Sequence, residues 1–224
     1  MIPLKDENPI RSFPFATVLI IAINLVVFGY EWTLPHPALK ALVFQFGAIP
    51  AELDVRHVAP ASLADVPWIT LITSMFLHGG FLHVGGNMLY LWIFGDNVED
   101  AMGPLRFVVF YLACGLAAAF FQIAAMPLSR VPLVGASGAI AGILGAYALL
   151  YPTARVRTLV ILFFFVRIVP IPALIILGMW FVVQILSVPA SGSSGVAFFA
   201  HIGGFLCGML LIGFFVRQDR RRAG

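Results

Sequence analysis

What most limits the folds open to this chain is the length of its uncharged stretches. Residues 13–30, 107–126, 135–151, 173–188 and 196–216 contain no Asp, Glu, Lys or Arg. A hydrocarbon layer of about 30 Å, climbed at 1.5 Å per residue, needs roughly 17 to 25 such residues per crossing. These segments reach or approach that length. A further apolar stretch, residues 82–94, is shorter and stops at Gly95, Asp96, Glu99 and Asp100. Of 224 residues 61% are hydrophobic and 10% charged, against about 25% charged in an ordinary soluble domain. A water-soluble globule is excluded. The expectation is an all-α polytopic membrane bundle of six transmembrane helices, forming one integral membrane domain over residues 1–224.

The connecting segments carry the polarity. The first span follows Lys5, Asp6, Glu7 and Asn8 and lacks the short apolar stretch and small-residue cleavage site of a removed signal peptide, so it is read as retained. Residues 32–66 are Pro-rich and polar, and with the short apolar runs that follow they form the sizeable outer loop, about residues 32–80. Pro104 opens the third span where a missing amide donor costs little. Residues 159–166 are apolar, yet eight residues between Arg157 and Arg167 are too few to cross, and an interfacial or re-entrant segment is expected. Residues 217–224 make a short basic tail.

Lys and Arg fix the orientation. With the amino terminus inside, ten of the thirteen fall on the inner side and three, Lys40, Arg56 and Arg130, on the outer. That bias sets both termini in the cytoplasm, so the second, fourth and sixth spans run inward from the outer surface. A net charge of +3, dispersed apart from the tail, excludes a nucleic-acid partner. Cys114 and Cys207 both sit in apolar runs and suggest neither a disulfide framework nor a thiolate metal site.

Polar groups inside spans are costly, and each asks for a partner or a task. The second span opens with His78 and His83 and carries Asn87, with His83 and Asn87 four residues apart on one helical face. The fourth opens with GASGAIAGILG, which puts Ser137 in its first turn between Gly135 and Gly138. The sixth opens with FFAHIGGFLCG and places His201 about one turn in. Helices of one polarity, each with its polar residues near the outer end, bring these groups to one depth. Gly138 and Gly142 on the fourth span, with Gly204 and Gly208 on the sixth, repeat the small-xxx-small spacing that lets backbones approach.

Taken singly, each feature has a plainer reading. A G-x-S-G is most often packing glue, Asn87 a cross-helix bond, His201 a structural or proton-relay group, and His78 with His83 a tie to the outer loop. Agreement in depth, polarity and chemical type favours a joint role. No H-E-x-x-H occurs, and the Asp residues lie in loops or at inner boundaries, so zinc and aspartyl proteolysis lack their groups. No acid accompanies His201 at the outer end to complete a triad. A Ser–His dyad is left, Ser137 as nucleophile and His201 as general base. Asn87, the Ser137 amide and His83 would serve as oxyanion donors. No metal and no cofactor is expected.

GASGAIAG, AHIGG and HGGFLHVGGN in this order resemble the signature of the rhomboid intramembrane serine proteases in their bacterial six-span form, a resemblance strongest from Trp68 onward. It implies Ser137 and His201 as the dyad, Asn87 and His83 as oxyanion contributors, and His78 as support for the site. It further implies that the fifth span and residues 187–199 act as gate and lid. Substrates would be single-span membrane proteins, met among membrane lipids, and the setting a bacterial inner membrane. Two positions depart from the family pattern. Trp68 is followed by Ile69 where many members have Arg. Ala141 stands where some members stack an aromatic ring on the His, so the dyad must be oriented by other means. A non-catalytic rhomboid-like scaffold that binds transmembrane helices is the alternative, and a proton-coupled transporter using His201 a weaker one.

Overall fold

In the computed structural model the described residues are 1–54, 67–162, 165–191 and 195–216. The expected basic tail, the middle of the outer loop and the centre of the 187–199 loop lie outside them.

A short strand, β1 (Ile2–Asp6), precedes α1 (Phe15–Thr33). The buried residues of α1 are Ala16, Thr17, Ile20, Asn24, Phe28 and Glu31. They recur every three to four positions, so one stripe meets protein while the remaining surface is left for lipid. The outer loop is partly helical, with α2 (His36–Phe46), α3 (Pro50–Leu53) and α4 (Thr70–Thr73), the last running into a 3-10 turn at Ser74–Phe76. Then follow α5 (Phe81–Met102), α6 (Pro104–Ala125) and α7 (Ser137–Leu150), and after a β-hairpin α8 (Ala173–Ser187) and α9 (Phe198–Phe215).

By length and composition α1, α6, α9 and α8 with its 3-10 extension to Ala190 suffice to cross a membrane. Helices α5 and α7 complete the polytopic bundle. The helix of the second span does not stop at Gly95: α5 continues to Met102, and its acidic residues Glu99 and Asp100 meet donors on Thr17 and Ser12. Gly103, at φ 88°, a conformation that favours glycine, is the one residue between α5 and α6. Helix α7 has only fourteen residues, about 21 Å, and every residue from 139 to 148 is buried. A helix apolar on all sides and enclosed by protein is the core around which the others pack.

Residues 155–172 differ from expectation. They form an antiparallel hairpin of β2 (Arg155–Leu162) and β3 (Phe165–Pro172), with β1 paired to β2 in the order β1-β2-β3. Register aligns Lys5 with Arg157 and Arg155 with Pro172. Val156 and Thr158 are buried while Arg155 and Arg157 are exposed, the two-residue alternation of a half-buried strand. An eight-residue run too short to cross satisfies its backbone by pairing instead. Pro170 and Pro172 are confined to the outer strand β3, where missing donors cost least.

Candidate active site

The site is built where α5, α7 and α9 begin. Ahead of α7 the chain turns at Gly135, φ 118°, and the Gly135 amide donates to the Ser74 carbonyl at 2.9 Å. Ser137 is the first residue of α7, with its backbone N–H among those lacking an intrahelical partner.

Glycines set the spacing of α7 and α9. A Cβ at Gly204 would collide with the Gly138 carbonyl, and one at Gly208 with the Gly142 carbonyl. The two backbones are therefore in contact, and the result at their amino-terminal ends is a distance of 2.8 Å between Ser137 Oγ and His201 Nε2.

His201 is held from its other side by α8. Its Nδ1 lies 2.8 Å from Gln184 Oε1, while Gln184 Nε2 donates to the Trp180 carbonyl at 3.3 Å. An amide oxygen bears no proton, so Nδ1–H is the donor and Nε2 keeps a lone pair for the Ser137 hydroxyl. Reversing the amide would set its oxygen against the Trp180 carbonyl, two acceptors with no proton between them. The Trp180 ring lies 5.8 Å from the imidazole, tilted by 39°. Ala141, by contrast, is wholly buried. The aromatic rings beside His201 are Trp180 of α8 and Phe198 of α9, and none comes from position 141 on α7.

On the facing helix, Asn87 Nδ2 lies 3.0 Å from His78 Nε2. His78 Nδ1 is 3.3 Å from the Phe76 carbonyl, which takes its proton and leaves Nε2 to accept one amide hydrogen of Asn87. The His78 backbone N–H is fixed in turn by Glu31 at 3.2 and 3.3 Å. His83 Nδ1 accepts from the Gly79 amide at 3.3 Å, which leaves its Nε2–H as a donor. That nitrogen would stand 2.6 Å from a Cβ at Gly135, and Asn87 Nδ2 3.6 Å. Any side chain at Gly135 would displace the His83 ring, besides straining the turn.

His83, Asn87, Ser137 and His201 all face one cleft of about 1160 Å³, with Tyr90 and Trp180 on its walls. His78 stands behind Asn87, and Gly142, Gly204 and Gly208 lie deeper along the α7–α9 contact. The arrangement offers a nucleophile, a base in the correct tautomer and amide and imidazole donors around one space. Among the described residues no group of three His, Cys, Asp or Glu side chains gathers as a metal site. Gln184, Trp180 and Glu31 were not anticipated. Gln184 had a signal, being the one amide in an otherwise apolar run. Glu31 looked like a span boundary, but it is 2% exposed.

The Rhomboid domain family model matches residues 66–218. The chain is 34% identical over 202 residues to Rhomboid protein 1, mitochondrial, of Saccharomyces cerevisiae, covering 85% of this chain and 50% of that protein. It is 36% identical over 197 residues to Rhomboid protease GluP of Bacillus subtilis, covering 87% of this chain and 34% of that one. Rhomboid-related protein 2 of Mus musculus is 29% identical over 212 residues, 80% of this chain and 69% of its own length. The chain thus spans half of the yeast protein and a third of the Bacillus one. With one relative named as mitochondrial, these likenesses support an integral membrane protein without supporting a bacterial inner membrane in particular.

Proposed function

The chain belongs to the rhomboid family, and on that premise we propose that it is an intramembrane serine endopeptidase cutting single-span membrane proteins. The observation that carries this is the 2.8 Å contact of Ser137 Oγ with His201 Nε2, in a tautomer able to accept the hydroxyl proton. The whole of residues 1–224 acts as one membrane domain, with both termini on the positively charged side.

In the first step Ser137 Oγ attacks the carbonyl carbon of the substrate peptide and its proton passes to His201 Nε2. The oxyanion is met by the Asn87 amide, His83 Nε2–H and the Ser137 backbone N–H at the positive end of α7. His201 then returns the proton to the departing amine, leaving an acyl ester on Ser137. In the second half His201 takes a proton from water, whose oxygen attacks the ester, and gives it back to Ser137. A helical substrate hides its carbonyls in its own hydrogen bonds, so the segment cut has to be unwound in the cleft.

Purified protein with a fluorogenic single-span substrate tests this directly. Turnover is expected, together with labelling of Ser137 by a fluorophosphonate. A folded sample that shows neither would point to the scaffold instead, for which a serine and an imidazole sharing a proton have no use.

A further inference from the structure

We infer that Gln184 on α8 is a positioning residue for the reaction proposed above: its side-chain oxygen selects the His201 tautomer and ties that choice to the docked position of α8. Three observations meet here. First, Gln184 is 7% exposed, a buried amide on a helix whose other buried residues, Ala173, Ile176 and Leu177, all lie in its inner half. An amide is costly to bury without full hydrogen bonding, and this one uses both ends, the oxygen on His201 Nδ1 and the nitrogen on the Trp180 carbonyl. Second, among the described residues no carboxylate is a hydrogen-bond partner of His201, whose ring nitrogens there meet Gln184 and Ser137. The general requirement for a third group to orient the base falls to the amide. Third, Trp180, one turn before Gln184, covers the imidazole and stacks on Phe205 of α9 at 6.1 Å, while Phe181 stacks on the same ring at 4.6 Å. The outer half of α8 is thereby seated on α9 around the Gln184 contact.

The chemistry follows from proton counting. Neutral imidazole carries one ring proton, and only the form with it on Nδ1 leaves Nε2 able to take the Ser137 proton. The Gln184 oxygen stabilises that form and has nothing to donate to the other. An outward movement of the outer half of α8 takes the acceptor with it, so a displaced α8 leaves the dyad without its orienting partner.

The test compares Gln184→Leu and Gln184→Glu in the full chain, with wild type and Ser137→Ala beside them, using a single-span fluorogenic substrate in lipid vesicles. Gln184→Leu keeps the bulk and removes the acceptor. Its kcat is expected to fall roughly 10²-fold, less than the ~10⁴-fold that a wrongly held tautomer costs other serine hydrolases, with KM within about twofold. Gln184→Glu restores an acceptor and adds a charge. It is expected to recover most of kcat and to move the acidic limb of the pH profile upward, because a carboxylate favours imidazolium. The ¹⁵N shifts of His201 should report the Nδ1–H form in wild type and loss of that preference in Gln184→Leu. Wild-type kcat, pH profile and ¹⁵N shifts in Gln184→Leu would overturn the inference while leaving the dyad intact. So would an unmoved acidic limb in Gln184→Glu, which decides the matter alone if Gln184→Leu does not fold. Failure of the dyad itself would show separately, as activity retained in Ser137→Ala.

Discussion

Two clusters of buried polar residues, one at each end of α5 and α7, use the same kinds of bond to opposite ends. At the helices' carboxyl-terminal end, called inner after the charge bias, Glu99 of α5 accepts from the Ala16 and Thr17 amides at 3.0 and 2.7 Å and from the Thr17 hydroxyl at 2.8 Å. It thereby caps the amino terminus of α1 from a neighbouring helix, where a negative charge also suits the helix dipole. Asp100 accepts from Ser12, and Asp6 of β1 from Tyr147 of α7 and Asn97 of α5. Asn8 and Asn97 also bond to each other. Carboxylates here collect donors from strand and helices alike and lock them together. At the helices' amino-terminal end, called outer after the charge bias, one carboxylate, Glu31, stands behind His78, and the groups that face the cleft are imidazoles, an amide and a hydroxyl, each held by one or two contacts that settle its tautomer or rotamer. Donors at Asn87 and His83 are left facing a cleft. Saturated bonds hold a fold, whereas reacting groups need fixed orientation with capacity in reserve.

The comparison breaks most sharply at Ser137. Replacing it with Ala is expected to reduce turnover by about 10⁴-fold or more and to leave the melting temperature within a degree or two, since among the described residues the hydroxyl's hydrogen bond is with His201. Glu99→Ala should do the reverse. It strands three donors that met a charged acceptor, a cost of about 4 kcal/mol in stability, while the fraction that still folds keeps a near wild-type kcat. Thermal unfolding beside single-turnover assays separates the two. A Glu99→Ala protein that melts normally but does not cut would show that the inner cluster takes part in the chemistry.

Asn87→Ala probes the boundary between the two roles, because Asn87 both points into the cleft and donates to His78. If its place is that of an oxyanion donor, kcat drops roughly 10²–10³-fold, KM moves little, and fluorophosphonate labelling slows in step. If Asn87 only ties α5 to His78, stability suffers and the rate of the folded protein does not.

Most of this arrangement was legible before the structure because its causes are local. Bilayer thickness dictates run lengths, and glycines four apart on α7 and α9 mark the face where backbones touch. Ser137, His201, Asn87 and His83 declare themselves as polar groups in apolar helices. What was not legible depends on distant partners. β1 finds its partner β2 some 150 residues away, so the expectation for residues 159–166, an interfacial or re-entrant segment, did not include a strand pairing despite their β-branched content. The acidic end of α5 past Gly95 finds its donors on Thr17 and Ser12, far off along the chain. Gln184 escaped notice because a neutral amide in an apolar run asks for a partner less insistently than a charge, and its partner belongs to another helix.

The mildest effect expected is at Asp6, which lies in β1 outside the spans. Burial raises its carboxyl above the ordinary 3.8, with the Tyr147 hydroxyl pulling the other way. The folded state therefore binds more protons than the unfolded one above pH 3.8, and stability contributed by this group falls as pH rises from there through the folded value. It is fully present only in acid. One carboxylate oxygen takes both the Tyr147 hydroxyl and the Asn97 amide, at 2.8 and 2.9 Å, and an asparagine carbonyl can accept the same pair without a charge to desolvate. Asp6→Asn is accordingly expected to change stability at pH 7 by no more than about 1 kcal/mol, on the favourable side, and to flatten the decline between mild acid and neutrality. Kinetics should be untouched, since the outer cluster shares no bond with Asp6. Unfolding curves at several pH values check it: a large loss at pH 7 with the slope preserved would mean that the charge itself, and not the acceptor, holds β1 to the helices.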